Sequence, residues 1–156
     1  MTHPVRTVLW FNGRGREAAT FYCALIPNSR IDSNFGSNEG GPDGDHHFEV
    51  IDFTLNGVPY QILDAGAFVP LTDCVSIMVV TPDQAETDRL WAAFTADGGA
   101  ESQCGWLKDR FGLSWQIVPD GVMQLTMNPD PAISRPAMAA MMTMRKLDLA
   151  ALRAAL

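Results

Sequence analysis

Positive charge, cysteine and histidine are all scarce in this chain, and no long apolar run occurs in it. Eleven lysines and arginines stand against 18 aspartates and glutamates, for a formal net charge of -7. That balance argues against nucleic acid or an anionic membrane as the main partner. No stretch approaches the roughly 20 apolar residues of a membrane-spanning helix. The first residues lead directly into a predicted strand, so no signal peptide is expected. Cys23, Cys74 and Cys104 are odd in number and without paired spacing, which predicts reduced thiols and a cytoplasmic protein. What is present, 47% hydrophobic and 19% charged residues over 156 positions, suits one compact domain or two small modules sharing a core.

The strongest positive signal is a repeat. Gly57, Tyr60, Gln61, Ile62 and Leu63 recur at the same spacing as Gly112, Trp115, Gln116, Ile117 and Val118. Upstream, the strand-like segment 7–11 followed by a helical run through Phe21 and Tyr22 matches 76–80 followed by a run through Leu90 and Trp91. In the first copy the pattern predicts a strand over 6–11 and a helix over 16–26. Further strands are predicted over 29–35, 48–55 and 58–63, the last two joined at Asn56-Gly57. In the second copy it predicts a strand over 75–80 and a helix started by Thr81 and Pro82 that runs to about residue 96. Strands follow over 100–103, 106–109 and 113–118. Each copy therefore reads strand, helix, strand, strand, strand: an α+β protein of two βαβββ modules, over 1–66 and 71–119. A helical tail over 120–156 is expected to pack on the modules or on a dimer partner. In that tail, Asp130 and Pro131 can start a helix that Pro136 delays or breaks, Met138 to Met144 form a methionine-rich stripe, and 149–156 forms a last helix.

Two copies of one module usually enclose a cleft, which makes equivalent positions the first site candidates. Alternation places Tyr60 and Ile62, like Trp115 and Ile117, on one face of their strands. Gln61 and Gln116 fall on the other. If the aromatic face packs under the helices, the glutamines face the concave side. There they could orient a small polar ligand, or bond across a module or dimer junction. Gly13, Gly15 and Ala18 spell a GxGxxA fingerprint after a strand. Antiparallel strands follow it rather than the parallel units of a dinucleotide fold, so the pattern is discounted. Asp52, Thr54 and Lys108 could meet a polar ligand at a cleft rim. Asp109 and Arg110 read as a turn with a surface ion pair. Cys23 and Cys74 are expected in the core and Cys104 in a turn. Among the four tryptophans, mostly core by pattern, Trp106 is the one placed to meet a ligand.

The string from Glu101 to Pro119, with Gly105, Trp106, Gly112, Trp115 and Gln116 in it, resembles the PhnB-like family. Leu9 to Asn12, Glu17, Phe21, Tyr22, Pro27 to Ser29 and the tail from Met141 to Leu152 fit it as well, so the resemblance covers nearly the whole chain. That family belongs to the vicinal-oxygen-chelate superfamily, with glyoxalase I, bleomycin-resistance proteins and extradiol dioxygenases. Many members carry the label 3-demethylubiquinone-9 3-methyltransferase. The resemblance implies paired βαβββ modules and a homodimer. Superfamily enzymes generally hold a divalent metal on His and Glu or Gln from the first and last strands of each module. Mapped through the repeat, those positions are Thr7 and Gln61, then Ser76 and Gln116.

That set contains neither imidazole nor carboxylate, and neutral amides and hydroxyls are weak ligands for a divalent ion. His3, His46 and His47 lie off the expected strands. No metal and no other cofactor is expected. The expectation is a small-molecule binding protein with Thr7, Gln61, Ser76, Gln116 and Trp106 as ligand contacts. The alternatives are a metal-dependent lyase, isomerase or dioxygenase with displaced ligands, the methyltransferase of the family label, or a dimeric scaffold whose cleft is filled by its own side chains.

Overall fold

A computed structural model of the chain describes residues 5–37, 48–66 and 70–156. The chain divides into two compact units, Met1–Pro70 and Leu71–Leu156. The first contains β1 (Thr7–Phe11), α1 (Gly15–Leu25), β2 (Arg30–Ser37), β3 (Phe48–Leu55) and β4 (Val58–Asp64). The second contains β5 (Ser76–Thr81), α2 (Gln84–Thr95), β6 (Ala100–Glu101), β7 (Trp106–Lys108) and β8 (Ser114–Pro119). The sheet orders are β1-β4-β3-β2 and β5-β8-β7-β6, so the same βαβββ module occurs twice and the architecture is α+β. In each sheet the first strand pairs in parallel with the last, and the other pairs are antiparallel. The glutamine-bearing strands β4 and β8 are therefore both central.

Alternation decides which face each helix covers. In the first unit Leu9, Phe11, Ile51, Phe53 and Ile62 are buried together with Ala18, Ala19 and Tyr22 of α1. The Tyr22 and Phe53 rings lie 6.5 Å apart, and Phe53 stacks on Tyr60 at 5.5 Å. In the second unit Trp115, Ile117 and Leu107 are buried with Leu90, Trp91 and Phe94 of α2, and Phe94 stacks on Trp115 at 4.4 Å. Each fully buried large aliphatic or phenyl group contributes roughly 1.5–3 kcal/mol, so the helix-covered faces carry most of the stability. The aromatic positions of the repeat thus point under the helices and the glutamines point away from them.

The β3–β4 hairpin turns at Asn56 and Gly57, both at positive φ (44° and 85°), as a two-residue turn between right-twisted strands requires. The α1 N-terminus is closed from within. The buried Asp64 carboxylate accepts the Gly13 N–H through Oδ1 and the Gly15 N–H through Oδ2, the latter at 2.7 Å. A Cβ on Gly15 would lie 2.6 Å from Ile62 Cγ2. The two glycines of the GxGxxA pattern thus serve a sharp turn and a close helix–sheet approach. The amides that would hold a phosphate there are taken by Asp64. In the second unit Asp83, not Thr81, caps the helix, accepting the Glu86 N–H at 2.8 Å, while Thr81 ends β5.

After β8 the chain forms α3 (Val122–Thr126), α4 (Pro131–Met141) and α5 (Leu149–Ala154). The short α3 has no counterpart among the elements expected from the sequence. The helix α4 runs through Pro136, which removes only one backbone donor. It starts with Pro131 in its first turn and Asp130 accepting the Ala132 N–H at 2.8 Å. Val118, Val122, Leu147 and Leu152 form a buried cluster with Leu125, Met141 and Met144 against it. Both ends of the Gln84 amide hold the tail: Nε2 donates to the Leu147 carbonyl at 3.0 Å, and Oε1 accepts the Leu149 N–H at 3.2 Å. Part of the methionine stripe is therefore core, while Met138 and Met142 are exposed.

Replacing Asp64 with Ala strands two backbone donors, each at a cost of roughly 1–3 kcal/mol. The expected outcome is a loss of about 2–4 kcal/mol in urea unfolding, with the midpoint lowered and the slope unchanged.

Candidate functional site

Each sheet presents its second face away from its helix. On the first, Val8, Gln61, Asp52 and Ser33 lie side by side across all four strands. The next row along is Trp10, Leu63, Val50 and Phe35. A polar row therefore runs beside an apolar one. Trp10 is 40% exposed and Phe35 75% exposed.

Asp52 organises the polar row. Its Oδ1 accepts from Gln61 Nε2 at 2.8 Å and from Arg6 Nη1 at 2.7 Å, and its Oδ2 accepts from Ser33 Oγ at 3.0 Å. Burial alone would raise the Asp52 carboxyl. The hydrogen bonds from Gln61, Ser33 and Arg6, with the guanidinium charge, outweigh it and hold the group below the usual carboxylate range. Gln61 is half-buried. Its amide nitrogen is committed to Asp52, and its Oε1 accepts nothing among the described residues.

On the second sheet Met78, Gln116 and Trp106 lie side by side, and Ser76, Ser114 and Lys108 form the neighbouring row. Gln116 Nε2 donates to Ser76 Oγ at 2.8 Å. Asp73 accepts from Ser114 Oγ at 2.8 Å and pairs with Lys108 Nζ at 3.0 Å. The Ser114 hydrogen bond, helped by Lys108, holds the Asp73 carboxyl below its ordinary range. A cavity of about 560 Å³ opens here, lined by Asp73, Glu101, Cys104, Trp106, Lys108 and Ser114 among others.

The structure thus brings Ser76, Gln116 and Trp106 onto one face of the second sheet. Thr7 is different. It pairs with Tyr60 and points to the helix-bearing side, whereas Val8 stands beside Gln61. The register also pairs Ile77 with Trp115, so Thr7 corresponds to Ile77, and Ser76 corresponds to Arg6. The first strands of the repeat are offset by one residue from the alignment that the sequence suggests. Arg6, Ser33 and Trp10 share the face of Gln61 although the sequence pattern does not single them out, and Asp52 sits in the row itself rather than at a rim.

Three smaller expectations are also corrected. Cys74 is exposed in a turn before β5 rather than buried in a strand. Asp109 is buried, and it accepts the Phe111 and Leu113 N–H groups and the Trp115 indole N–H at 2.8–3.0 Å. Arg110 pairs with Asp97 instead, at 2.9 Å. Cys23 is half-buried, and burial, then the Asp32 carboxylate, raises its thiol pKa and makes it a poorer nucleophile.

A divalent metal does not fit the donor set around either glutamine. The side chains beside them are amide, hydroxyl, thioether, indole and aliphatic groups, and the carboxylates of the two faces are already engaged, Asp52 by Arg6, Gln61 and Ser33 and Asp73 by Ser114 and Lys108. Among the described residues no three His, Cys, Asp or Glu side chains are grouped to hold an ion. His3, His46 and His47 lie outside the described residues.

The pH dependence of the first face has a definite sign. A depressed Asp52 stabilises the fold above its unfolded value of about 3.9, and that contribution is lost as pH falls through the lower folded value. Thermal stability of the wild type is expected to fall below about pH 4 more steeply than that of Asp52→Asn, read from melting temperatures across an acid series.

The profile of the 3-demethylubiquinone-9 3-methyltransferase family matches residues 3–118. Comparison with curated proteins gives no match. Among solved structures, the chain is 28% identical to the PhnB protein from Bacillus cereus, with a TM-score of 0.68 over 75% of this chain and 99% of that one. Protein PA1353 from Pseudomonas aeruginosa is 20% identical, with a TM-score of 0.60 over 76% of this chain and 100% of that one. The fosfomycin resistance protein FosX from Listeria monocytogenes, solved with Mn(II) and sulfate, shares the fold at 13% identity, with a TM-score of 0.53 over 75% of this chain and 91% of that one. No helix among the described residues is long and apolar enough to cross a membrane. With most of its length matched and its two βαβββ modules in place, the chain belongs to the PhnB-like 3-demethylubiquinone-9 3-methyltransferase family of the vicinal-oxygen-chelate superfamily.

Proposed function

We propose that this protein binds a small, partly aromatic polar molecule on the open faces of its sheets, without a metal centre. The observation that carries this reading is the pair of half-buried glutamines, each with its amide nitrogen held by a neighbouring side chain, Asp52 for Gln61 and Ser76 for Gln116. A fixed amide presents its oxygen in one direction, which favours a ligand donor over water. Trp10 lies one row from Gln61, and Trp106 lies directly beside Gln116, supplying flat apolar surface next to each amide. A concave apolar surface with a few convergent polar groups is the usual form of a small-molecule site. Gln61, Ser76, Gln116 and Trp106 are the proposed contacts, with Arg6 in the place expected of Thr7.

Two further features complete the reading. Phe35 at 75% and Val58 at 52% exposure leave apolar surface that a homodimer would cover. The free cysteines suit a reducing, cytoplasmic setting.

Native mass spectrometry of the purified protein tests these points together. The expected species is a dimer carrying an organic adduct and no metal, and the adduct is lost from a Gln61→Ala, Gln116→Ala variant that melts like the wild type. A stoichiometric divalent metal would overturn the metal-free reading. An adduct with the mass of S-adenosylmethionine would replace it with the methyl transfer named in the family description.

A further inference from the structure

Cys104 and Met142 place two sulfur atoms together at the rim of the second unit's cavity. Cys104 Sγ lies 3.7 Å from Met142 Sδ, and the same Sγ lies 3.7 Å from the Met141 carbonyl oxygen. The pairing is fixed by main chain. The Cys104 N–H donates to the Met144 carbonyl at 2.9 Å, and the Gly105 N–H donates to the Arg145 carbonyl at 2.7 Å. These two bonds dock the β6–β7 turn onto the segment that carries Met142. There is little room for slippage, since a Cβ on Gly105 would lie 2.9 Å from Leu147 Cδ1. Cys104 itself takes a left-handed backbone, φ 57°, which turns its side chain toward that segment.

We propose that Cys104 and Met142 form a binding site for a soft monovalent cation of the Cu(I) class. Thiolate and thioether are the two protein donors that select soft d¹⁰ ions over Mg²⁺, Ca²⁺ or Mn²⁺. If both metal–sulfur bonds are roughly 2.3 Å, a 3.7 Å sulfur separation gives an S–metal–S angle of about 107°. That angle suits a three- or four-coordinate ion and requires no movement of either sulfur. The Met141 carbonyl is on hand as a weaker third donor. Binding exchanges the thiol proton, which leaves to solvent, for a sulfur–copper bond, so no oxidant or reductant takes part. Cys104 is half-buried and lines the cavity beside Trp106, which gives the ion a way in. Met142 belongs to the tail, beyond residues 3–118 of the family match. The site borders the open face of the second sheet, since Trp106 lines the same cavity, but uses neither glutamine.

The test is anaerobic titration of the full chain with Cu(I) held by bicinchoninate. The wild type is expected to withdraw a single copper, whose X-ray absorption shows two sulfur neighbours. Met142→Leu, a change at a 57% exposed position that leaves melting unchanged, is expected to weaken binding at least about tenfold and leave one sulfur neighbour. Cys104→Ser is expected to abolish binding, and Cys74→Ser to leave it intact. Unchanged affinity in Met142→Leu would overturn the proposal in favour of an isolated thiol. Loss of copper in Cys74→Ser, or no withdrawal by the wild type, would overturn it as well.

Discussion

Asp64 and Asp109 are buried carboxylates, at 1% and 2% exposure, and the placement of both glutamines depends on them. Asp64, at the end of β4, takes the N–H groups that open α1 and so pins the helix over Ile62. With Ile62 turned under the helix, pleating leaves Gln61 no choice but the opposite face. Asp109 does the same by another route. It gathers two backbone N–H groups of its own turn together with the Trp115 indole, fixing Trp115 beneath α2 and Gln116 away from it. Charge-assisted hydrogen bonds of this sort are stronger than neutral ones, and here they convert an amphipathic tendency into a single register.

The two open faces are built alike but equipped differently. The residue opposite Gln61 is Asp52, whereas the residue opposite Gln116 is Trp106. The first face has an anionic group tied to a guanidinium, and the second has an indole beside a neutral serine–glutamine pair. The two modules share the amide and differ in its neighbour. A family label attached to the whole chain says little about which chemistry such a face supports, because fold and function separate readily.

Much of this arrangement is legible in the amino-acid sequence. The recurrence of glycine, aromatic, glutamine and isoleucine marks the last strand of each module, and period-2 alternation gives the face. The Asn56-Gly57 turn fixes the β3–β4 register by itself, so Asp52 opposite Gln61 follows from counting outward from the turn. The parallel pairing of β1 with β4 and of β5 with β8 is not legible in the same way. No turn connects those strands, and a slip of one residue exchanges faces. For that reason the sequence suggests Thr7 beside Gln61, where Val8 stands. Asp109 reads as a surface residue because a polar residue in a turn normally faces water, and nothing local reveals that the Trp115 indole comes back to it. The short α3 is only five residues, below the length at which periodicity speaks.

The docking of the tail onto the Cys104–Gly105 turn orders events during synthesis. All the strands of the first sheet lie within residues 7–64, so that unit can close as soon as those residues emerge. The second unit cannot. Its turn amides and Val118 wait for the Met144 and Arg145 carbonyls and for Leu147, some 30–40 residues further along, and such non-local closure slows folding. While the ribosome adds that stretch, the apolar end of β8 is uncovered and open to chaperones or to another nascent chain. Of the two units, the second to be made is therefore the more exposed to misassembly.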